Sequence, residues 1–347
     1  MKIGENAIYF ICISIGATAF QVYSEGLNNL NWAFAGFIFS LISWLSVKFL
    51  HNPTRKLLSK LNNFKEGVIV KEKKWSGLTK NEVIAVVLLG LLSFGNLALL
   101  LPFLKNQEIA IYYTIIGSAL VRIISIYVAQ KLFNDQIGNK ILFWLGFIIC
   151  IIGIFLFKYN NFINGTINYL VIVFSLIWGC MSIISDQLKR YITIDISERK
   201  WKIPYFYKVS LNIKTLQEKS EFTKTGLFFI VVTIFFGLNK SFVIIPNFKE
   251  IGSLLWIGYV VTIFGGTIAM ELKNKIGETI GSILQSSRVM SSMIYAPIIV
   301  YILSSNDPFV IWLDLWKWIG VLLIFAGSTV GLVLGKPSRE KFLKPFI

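Results

Sequence analysis

Histidine occurs once in this chain, at position 51, and that scarcity excludes a great deal of chemistry. Membrane enzymes that hold iron or zinc on histidine clusters, or that cleave with a Ser–His pair, cannot be assembled from one His51 in a predicted loop. No GxxxxGK[ST] segment occurs, so the chain carries no nucleotide-hydrolysing loop of its own. Cysteine is nearly as rare. Cys12, Cys150 and Cys180 all fall inside apolar runs without CxxC spacing, where they read as small hydrophobes rather than disulfides or metal ligands. No cofactor and no metal site are expected from these residues, and no enzyme.

Charge is scarce too. Only 15% of the 347 residues are charged and 55% are hydrophobic, whereas a soluble domain carries about 25% charged residues. The net charge of +16 would suit a nucleic-acid partner if the cations shared one polar face. They do not; they sit in loops between long apolar runs, so nucleic acid is not expected.

What is present is a series of apolar runs, each near the roughly 20 residues that span a bilayer. They cover 7–23, 32–49, 83–101, 109–132, 141–157, 167–185, 225–244, 251–272, 277–303 and 309–334. The runs are continuous rather than alternating, which predicts helices over a barrel. The fold class is therefore an all-α integral membrane protein of ten transmembrane helices.

Orientation follows from lysine and arginine. With the N-terminus inside, 27 of the 34 cations lie in inward segments. Five lie outward (Lys105, Lys158, Lys240, Lys249 and Lys317), and Arg122 and Arg288 lie within spans. Both termini are expected in the cytoplasm, the membrane being a bacterial inner membrane. Two inward loops, 51–80 and 188–224, are long and basic. They either touch anionic headgroups, at about 1 kcal/mol per surface cation, or serve as solvated linkers that set topology, and the linker reading is the one carried forward. Lys2 with Ala17-Thr18-Ala19 mimics a secretory signal. Glu5 and the repeat described next argue that the first helix is retained.

Trp144-Leu145-Gly146 is followed by Gly153, and Trp318-Ile319-Gly320 by Gly327, in the fifth and tenth runs. Gly90 and Gly95 in the third have counterparts in Gly258 and Gly265-Gly266 in the eighth. Gly117-Ser118 precedes Arg122, and Gly281-Ser282 precedes Arg288. The chain thus divides into five-helix halves, 1–165 and 166–347. Five is odd, so the second half is expected to lie inverted, an arrangement that secondary transporters use with a site between the halves.

The stretch Trp256-Ile257-Gly258-Tyr259-Val260-Val261-Thr262-Ile263-Phe264-Gly265-Gly266-Thr267-Ile268-Ala269, with Lys273-Asn274-Lys275-Ile276-Gly277-Glu278 after it, resembles the eighth helix of the EamA branch of the drug/metabolite transporter superfamily. The run 78–95 resembles that family's third helix. The resemblance covers nearly the whole chain in order and helix count, and implies a ten-helix transporter. It also places the helices of Gln21 and Asn96 around a cavity. Trp178, in Leu176-Ile177-Trp178-Gly179, resembles the Trp-Gly of the repeat-opening helices; cavity wall and packing residue both remain open for it. The long basic loops depart from the family, as does the replacement of a proline near Arg122 and Arg288, so no substrate is carried over.

Arg122 and Arg288 lie about twelve residues into their runs. A charge at that depth costs at least about 2.5–3.5 kcal/mol, which favours a cavity or a partner. Helical spacing sets Ser118 and Ser125 beside Arg122, and Gln285, Ser292 and Tyr295 beside Arg288. These are substrate-binding candidates for a carboxylate or phosphate, against the alternative of arginines locked to helix packing. Gln21 and Asn96 either bind substrate or bond a neighbouring helix. Glu25, Asp186, Glu271 and Asp314 are the candidate coupling acids; each falls near a predicted helix end, where solvation is the plainer role. The ladder Gly327, Gly331, Gly335 predicts close helix packing, within the monomer or across a homodimer.

The sequence therefore predicts a secondary-active exporter of a small organic metabolite or amphiphile, embedded in membrane lipid. The rivals are a flippase of a lipid-linked substrate on the same fold, and a sensor or scaffold acting through its basic loops.

Overall fold

The structure is a computed structural model. It describes residues 7–16, 31–61, 73–104, 121–133, 139–157, 169–238, 255–256, 258–287 and 314–331. Each of the ten predicted runs contains a helix. These are α1 (Ala7–Gly16), α2 (Trp32–Leu61), α3 (Lys80–Leu104), α4 (Val121–Leu132), α5 (Lys140–Phe157), α6 (Tyr169–Thr193), α7 (Ile213–Leu238), α8 (Ala269–Ile276), α9 (Glu278–Ser287) and α10 (Leu315–Thr329). A π-helical segment, Val261–Ile268, leads into α8. Among the described residues there is no strand, only an isolated bridge between Phe133 and Arg199. Helices α2, α3, α5, α6 and α7 are long and apolar enough to cross a membrane; α1 and α10 are shorter apolar helices.

Three helix boundaries correct the sequence reading. Helix α2 continues past residue 49 to Leu61, so His51 lies inside a helix rather than in a loop. It is 2% exposed and bonded to Asn52 through Nδ1 at 3.2 Å. Helix α6 runs on to Thr193 and α7 begins at Ile213. The predicted linker 188–224 therefore reduces to residues 194–212. Hydropathy stops at the first charge, whereas a helix stops where its backbone bonds stop, and here the charged residues are held by the neighbouring helices.

That shortened connector is folded, which overturns the reading of it as a solvated linker. Arg199 is buried and donates to the carbonyl oxygens of Tyr207 (2.6 Å), Ile194 (3.0 Å), Phe206 (3.3 Å) and Ile192 (3.5 Å). Two of these carbonyls, at Ile192 and Ile194, lie at the end of α6, where the last C=O groups of a helix lack internal partners. Tyr191 donates through its hydroxyl to the carbonyl of Trp201 and accepts from the amide of Ile203. Val209 and Leu211 then pack with Ala85, Leu89 and Leu216, tying the connector to α3 and α7. In the other basic segment, 51–80, Lys73 bonds Glu82 at 2.8 Å, and the Trp75 ring lies tilted against Phe222, 6.1 Å between centroids.

Packing follows the small residues. Helices α5 and α10 cross antiparallel, with Gly146 against Gly327 and Gly331, and Gly153 against Gly320. A Cβ on Gly327 would lie 2.5 Å from the Gly146 carbonyl oxygen, and one on Gly320 would lie 2.6 Å from the Gly153 carbonyl oxygen. Gly327 and Gly331 thus do their predicted packing within the chain. Helix α7 packs on α2 and α3, and α3 also packs on α6. Phe228 of α7 is fully buried between Phe94, at 4.6 Å between ring centroids, and the face of α2 that Gly36 leaves open. Gly16 of α1 meets Gly265 in the π-helical segment. Gly277, at φ 89°, takes a conformation that favours glycine and separates α8 from α9.

The α5–α10 crossing yields a stability prediction. Gly146→Leu should cost about 1–3 kcal/mol or more, because its side chain would enter backbone rather than a yielding side chain. Gly226→Leu, where nothing lies within 4 Å of the added Cβ, should leave the melting temperature of the purified protein unchanged or raised.

Candidate functional site

Helical periodicity assembles one charged cavity inside this apolar bundle. On α6, Trp178, Ser182, Ser185, Asp186 and Lys189 recur at spacings of three and four and so share a face. On α3, Ser93, Asn96, Leu97 and Leu100 do the same, and α7 contributes Glu221 and Lys224 one turn apart. Phe39 of α2 with Val121 and Arg122 of α4 completes the wall. The volume of this open-sided cavity is about 290 Å³.

The cavity is two-sided. Phe39, Leu97, Leu100, Val121 and Trp178 supply apolar surface; Arg122, Asp186, Lys189, Glu221 and Lys224 supply charge. Glu221 and Lys224 form a direct ion pair, and Glu221 also accepts from Gln217 at 2.9 Å. Lys224 further lies over the Phe39 ring, 5.5 Å from its centroid. Asp186 is shared: its Oδ2 lies 3.9 Å from Arg122 Nη1 and 3.7 Å from Lys273 Nζ of α8. Its side chain is 36% exposed while those of Arg122 and Lys273 are 11% and 3%. Asp186 and Arg122 both line the cavity, whereas Lys273 does not. Asn96 Oδ1 accepts from Ser182 at 3.5 Å, joining α3 to α6.

Several predicted residues meet here. Arg122, Asn96 and Trp178 line the cavity together, and Trp178 takes the wall position. Asp186 joins them, which corrects its placement at a solvated helix end: it lies two turns inside α6. Ser125 does not face the cavity. It is 1% exposed and accepts from Gln187 Nε2 at 2.8 Å, in the contact between α4 and α6. Glu271, expected near the end of the eighth helix, lies five residues before the end of α8 at Ile276 and pairs with Arg55 of α2 at 2.6 Å. Asp314 caps α10, accepting from the amides of Trp316 and Lys317. Gln285 falls on α9, and its side chain lies outside the described residues. Gln21, Glu25, Ser118, Arg288, Ser292 and Tyr295 also lie outside them.

Lys189, Lys224, Glu221, Ser93, Ser182 and Ser185 escaped the sequence reading. The signal was available as a polar stripe running from Trp178 to Lys189, but ending the sixth run at residue 185 cut it.

No family model matches the chain, and no curated protein matches it. Among solved structures, one described only as "Crystal structure of protein" aligns over 96% of this chain and 99% of its own. The TM-score is 0.59 at 12% identity, so the likeness is one of fold.

Cavity access is testable by thiol labelling in a variant whose three native cysteines are replaced by serine. Ser182→Cys should react with a water-soluble maleimide. Ser175→Cys, on the same helix at a fully buried position, should stay unlabelled over the same interval.

Proposed function

We propose that this chain is a secondary-active transporter of a small organic metabolite, working by alternating access from a central site. The observation that carries the reading is the cavity itself: charged and polar side chains from α3, α4, α6 and α7 converge inside a bundle of long apolar helices. Charge in such surroundings is costly and is kept where it meets a partner, a substrate or water.

The pattern of packing supports two inverted five-helix halves, 1–165 and 166–347. Gly95 of α3 faces Met181 of α6, as Gly265 faces Gly16 of α1. Gly90 of α3 faces Thr223 of α7, as Gly258 faces Ile42 of α2. Advancing each helix number by five converts one contact into the other. The α5–α10 crossing maps onto itself under the same rule, with its two glycine pairs exchanged. Such a two-fold plan places a site between the halves and lets one half rock against the other. The cavity draws on both, through Arg122 of α4 and Asp186 of α6.

On this reading the chain resides in the cell membrane with both termini cytoplasmic, as its lysine and arginine distribution favours. The EamA resemblance is in keeping with it, and export is the expected direction. Arg122 would hold an anionic group of the substrate.

The test is metabolite export from cells that express the chain, with the medium profiled by mass spectrometry. Wild type should release at least one small anion that cells expressing Arg122→Gln release about tenfold less, since a charge-assisted contact contributes about 1.5–3 kcal/mol. Equal release from the variant would remove Arg122 from the site. No difference between wild type and empty cells, repeated in proteoliposomes, would end the transporter reading.

A further inference from the structure

The folded connector between α6 and α7, residues 194–212, turns one cation inward and its largest aromatic side chains outward. Arg199 is buried against backbone carbonyls, whereas its neighbours Lys200, Trp201 and Lys202 are exposed. Trp201 is 67% exposed and Tyr205 is 76% exposed. From Lys200 to Asn212 the chain carries Lys200, Lys202 and Lys208 and no acid, and all three lysines are exposed. Exposed apolar surface rimmed by polar residues marks an interaction site.

The backbone beneath this surface is fixed. The Tyr191 hydroxyl holds it at Trp201 and Ile203. The amides of Phe206 and Tyr207 donate to the Ile203 carbonyl at 3.2 and 3.0 Å, closing a turn that carries Tyr205 at φ 66°. Among the described residues Tyr205 is the one non-glycine residue with left-handed backbone, a strained conformation for so large a side chain. Its ring projects from the protein, so internal packing does not account for the strain.

Position names the partner. The connector is bonded at the level where the apolar helices end: the Lys200 amide donates to the carbonyl of Leu132, the last residue of α4, at 2.9 Å. The Leu211 amide donates to Ile192 in the last turn of α6 at 3.1 Å. The other exposed Trp and Tyr side chains among the described residues keep to the same kind of place. Tyr127 lies in the last two turns of α4, Trp75 ahead of α3, Trp256 near the start of the eighth apolar run, and Trp316 and Trp318 in the first turn of α10. The exposed side chains of the helix middles are aliphatic, such as Leu91 of α3 and Ile148 and Ile152 of α5. A bilayer sorts side chains in this way, collecting Trp and Tyr at its two faces.

We propose that the connector is an interfacial anchor for anionic lipid. Trp201 and Tyr205 enter the headgroup layer of the membrane that holds the bundle, and Lys200, Lys202 and Lys208 meet lipid phosphates. This rests on the placement of the chain in a cell membrane and is independent of transport. Each ring has an apolar body and a polar edge, which suits that layer, and lysines beside it are drawn to an anionic surface. Through Leu132, Ile192 and the packing of Val209 and Leu211 on α3 and α7, lipid bound here stabilises the helices that build the cavity.

The first experiment is a thermal-shift titration of the purified full-length protein at fixed detergent and ionic strength. The probes are dioctanoyl phosphatidylglycerol, dioctanoyl phosphatidylcholine and glycerol 1-phosphate. A ligand of the folded state raises the melting temperature with concentration. The anionic lipid should act at concentrations about tenfold or more below those of the zwitterionic lipid, because three lysines face it. Glycerol 1-phosphate, which has the phosphate without the acyl chains, should give no shift. The Lys200→Gln, Lys202→Gln, Lys208→Gln variant should lose the preference, and the corresponding triple Arg variant should keep it. A preference undiminished in the Gln variant, or an equal response to glycerol 1-phosphate, would overturn the proposal.

The second experiment measures depth and decides the matter if the Gln variant fails to fold. In the variant with its three native cysteines replaced by serine, Tyr205→Cys and Ile152→Cys each carry an environment-sensitive fluorophore. Both are placed in nanodiscs of phosphatidylcholine and phosphatidylglycerol. The label at 205 should be quenched by lipid brominated near the headgroup and shielded from aqueous iodide. Quenching at 152 by lipid brominated deep in the acyl chain reports the membrane placement itself. Lipid quenching at 152 but only iodide quenching at 205 would overturn the anchor and leave the membrane placement standing, with the patch turned to a soluble partner. Iodide quenching at both positions would end both.

Discussion

Backbone-to-backbone contact at glycine is the constraint on which this bundle depends. Where helices meet through small residues, association rests on van der Waals packing and hydrogen bonds between closely approaching backbones. Dispersion falls off steeply with distance, so the helices that must hold approach until backbone meets backbone. Helices α5 and α10 do so at two points, Gly146 against Gly327 and Gly153 against Gly320. The same device joins α1 to the π-helical segment, where Gly16 meets Gly265. Two adjacent glycines, Gly265 and Gly266, each cost about 1 kcal/mol in a helix, and the wide turn that Thr267 closes onto the Thr262 carbonyl absorbs their departure from regular geometry.

The consequence reaches the cavity. Among the described residues, none of its lining comes from α5 or α10. That pair is committed to each other, with α9 alongside, which leaves α3, α4, α6 and α7 to meet around polar side chains instead of small ones. Where α3 and α6 do approach closely, at Gly95 against Met181, the neighbouring positions Asn96 and Ser182 carry the hydrogen bond between the helices. Close packing and cavity are thus adjacent turns of the same helices. A substitution that separates α3 from α6 would alter the shape of the site before it unfolded the bundle.

The apolar runs made the number and order of helices legible, because each continuous apolar stretch of about 20 residues between charged segments predicts one helix. The close-packing glycines of the fifth and tenth helices were legible as well, since small residues leave a pattern that apolar side chains do not blur. Arg122 could be singled out because it is charged at depth. Helix ends were another matter. Asp186, Lys189, Glu221 and Lys224 are charged, so a hydropathy reading assigns them to loops. They remain helical because three- and four-residue spacing gathers them on cavity-facing stripes while the opposite faces stay apolar. His51 and Arg199 were misplaced for a related reason: each is a polar group whose surroundings, an elongated α2 and a folded connector, exist only in three dimensions. The pairing of Glu271 with Arg55 joins residues 216 positions apart and leaves no trace in local sequence.

The two kinds of ion pair in the molecule sort its charges by task. Arg55 with Glu271 ties α2 to α8, and Lys73 with Glu82 pins the start of α3; both are within hydrogen-bonding distance. A buried pair repays its desolvation only when geometry is good and the remaining polar atoms find partners, and Glu82 meets that condition by also accepting from the Thr79 amide. Asp186 does not meet it. With two cations on one oxygen at longer range, it obtains neither the geometry nor the full count of partners, although the helices that carry it are well packed elsewhere. Structural need alone would favour apolar side chains of similar volume at those positions, because replacing such a pair is often neutral or stabilising. On the transporter reading proposed above, a charged cluster that is not closed on itself inside an otherwise closely packed bundle is what a central site requires.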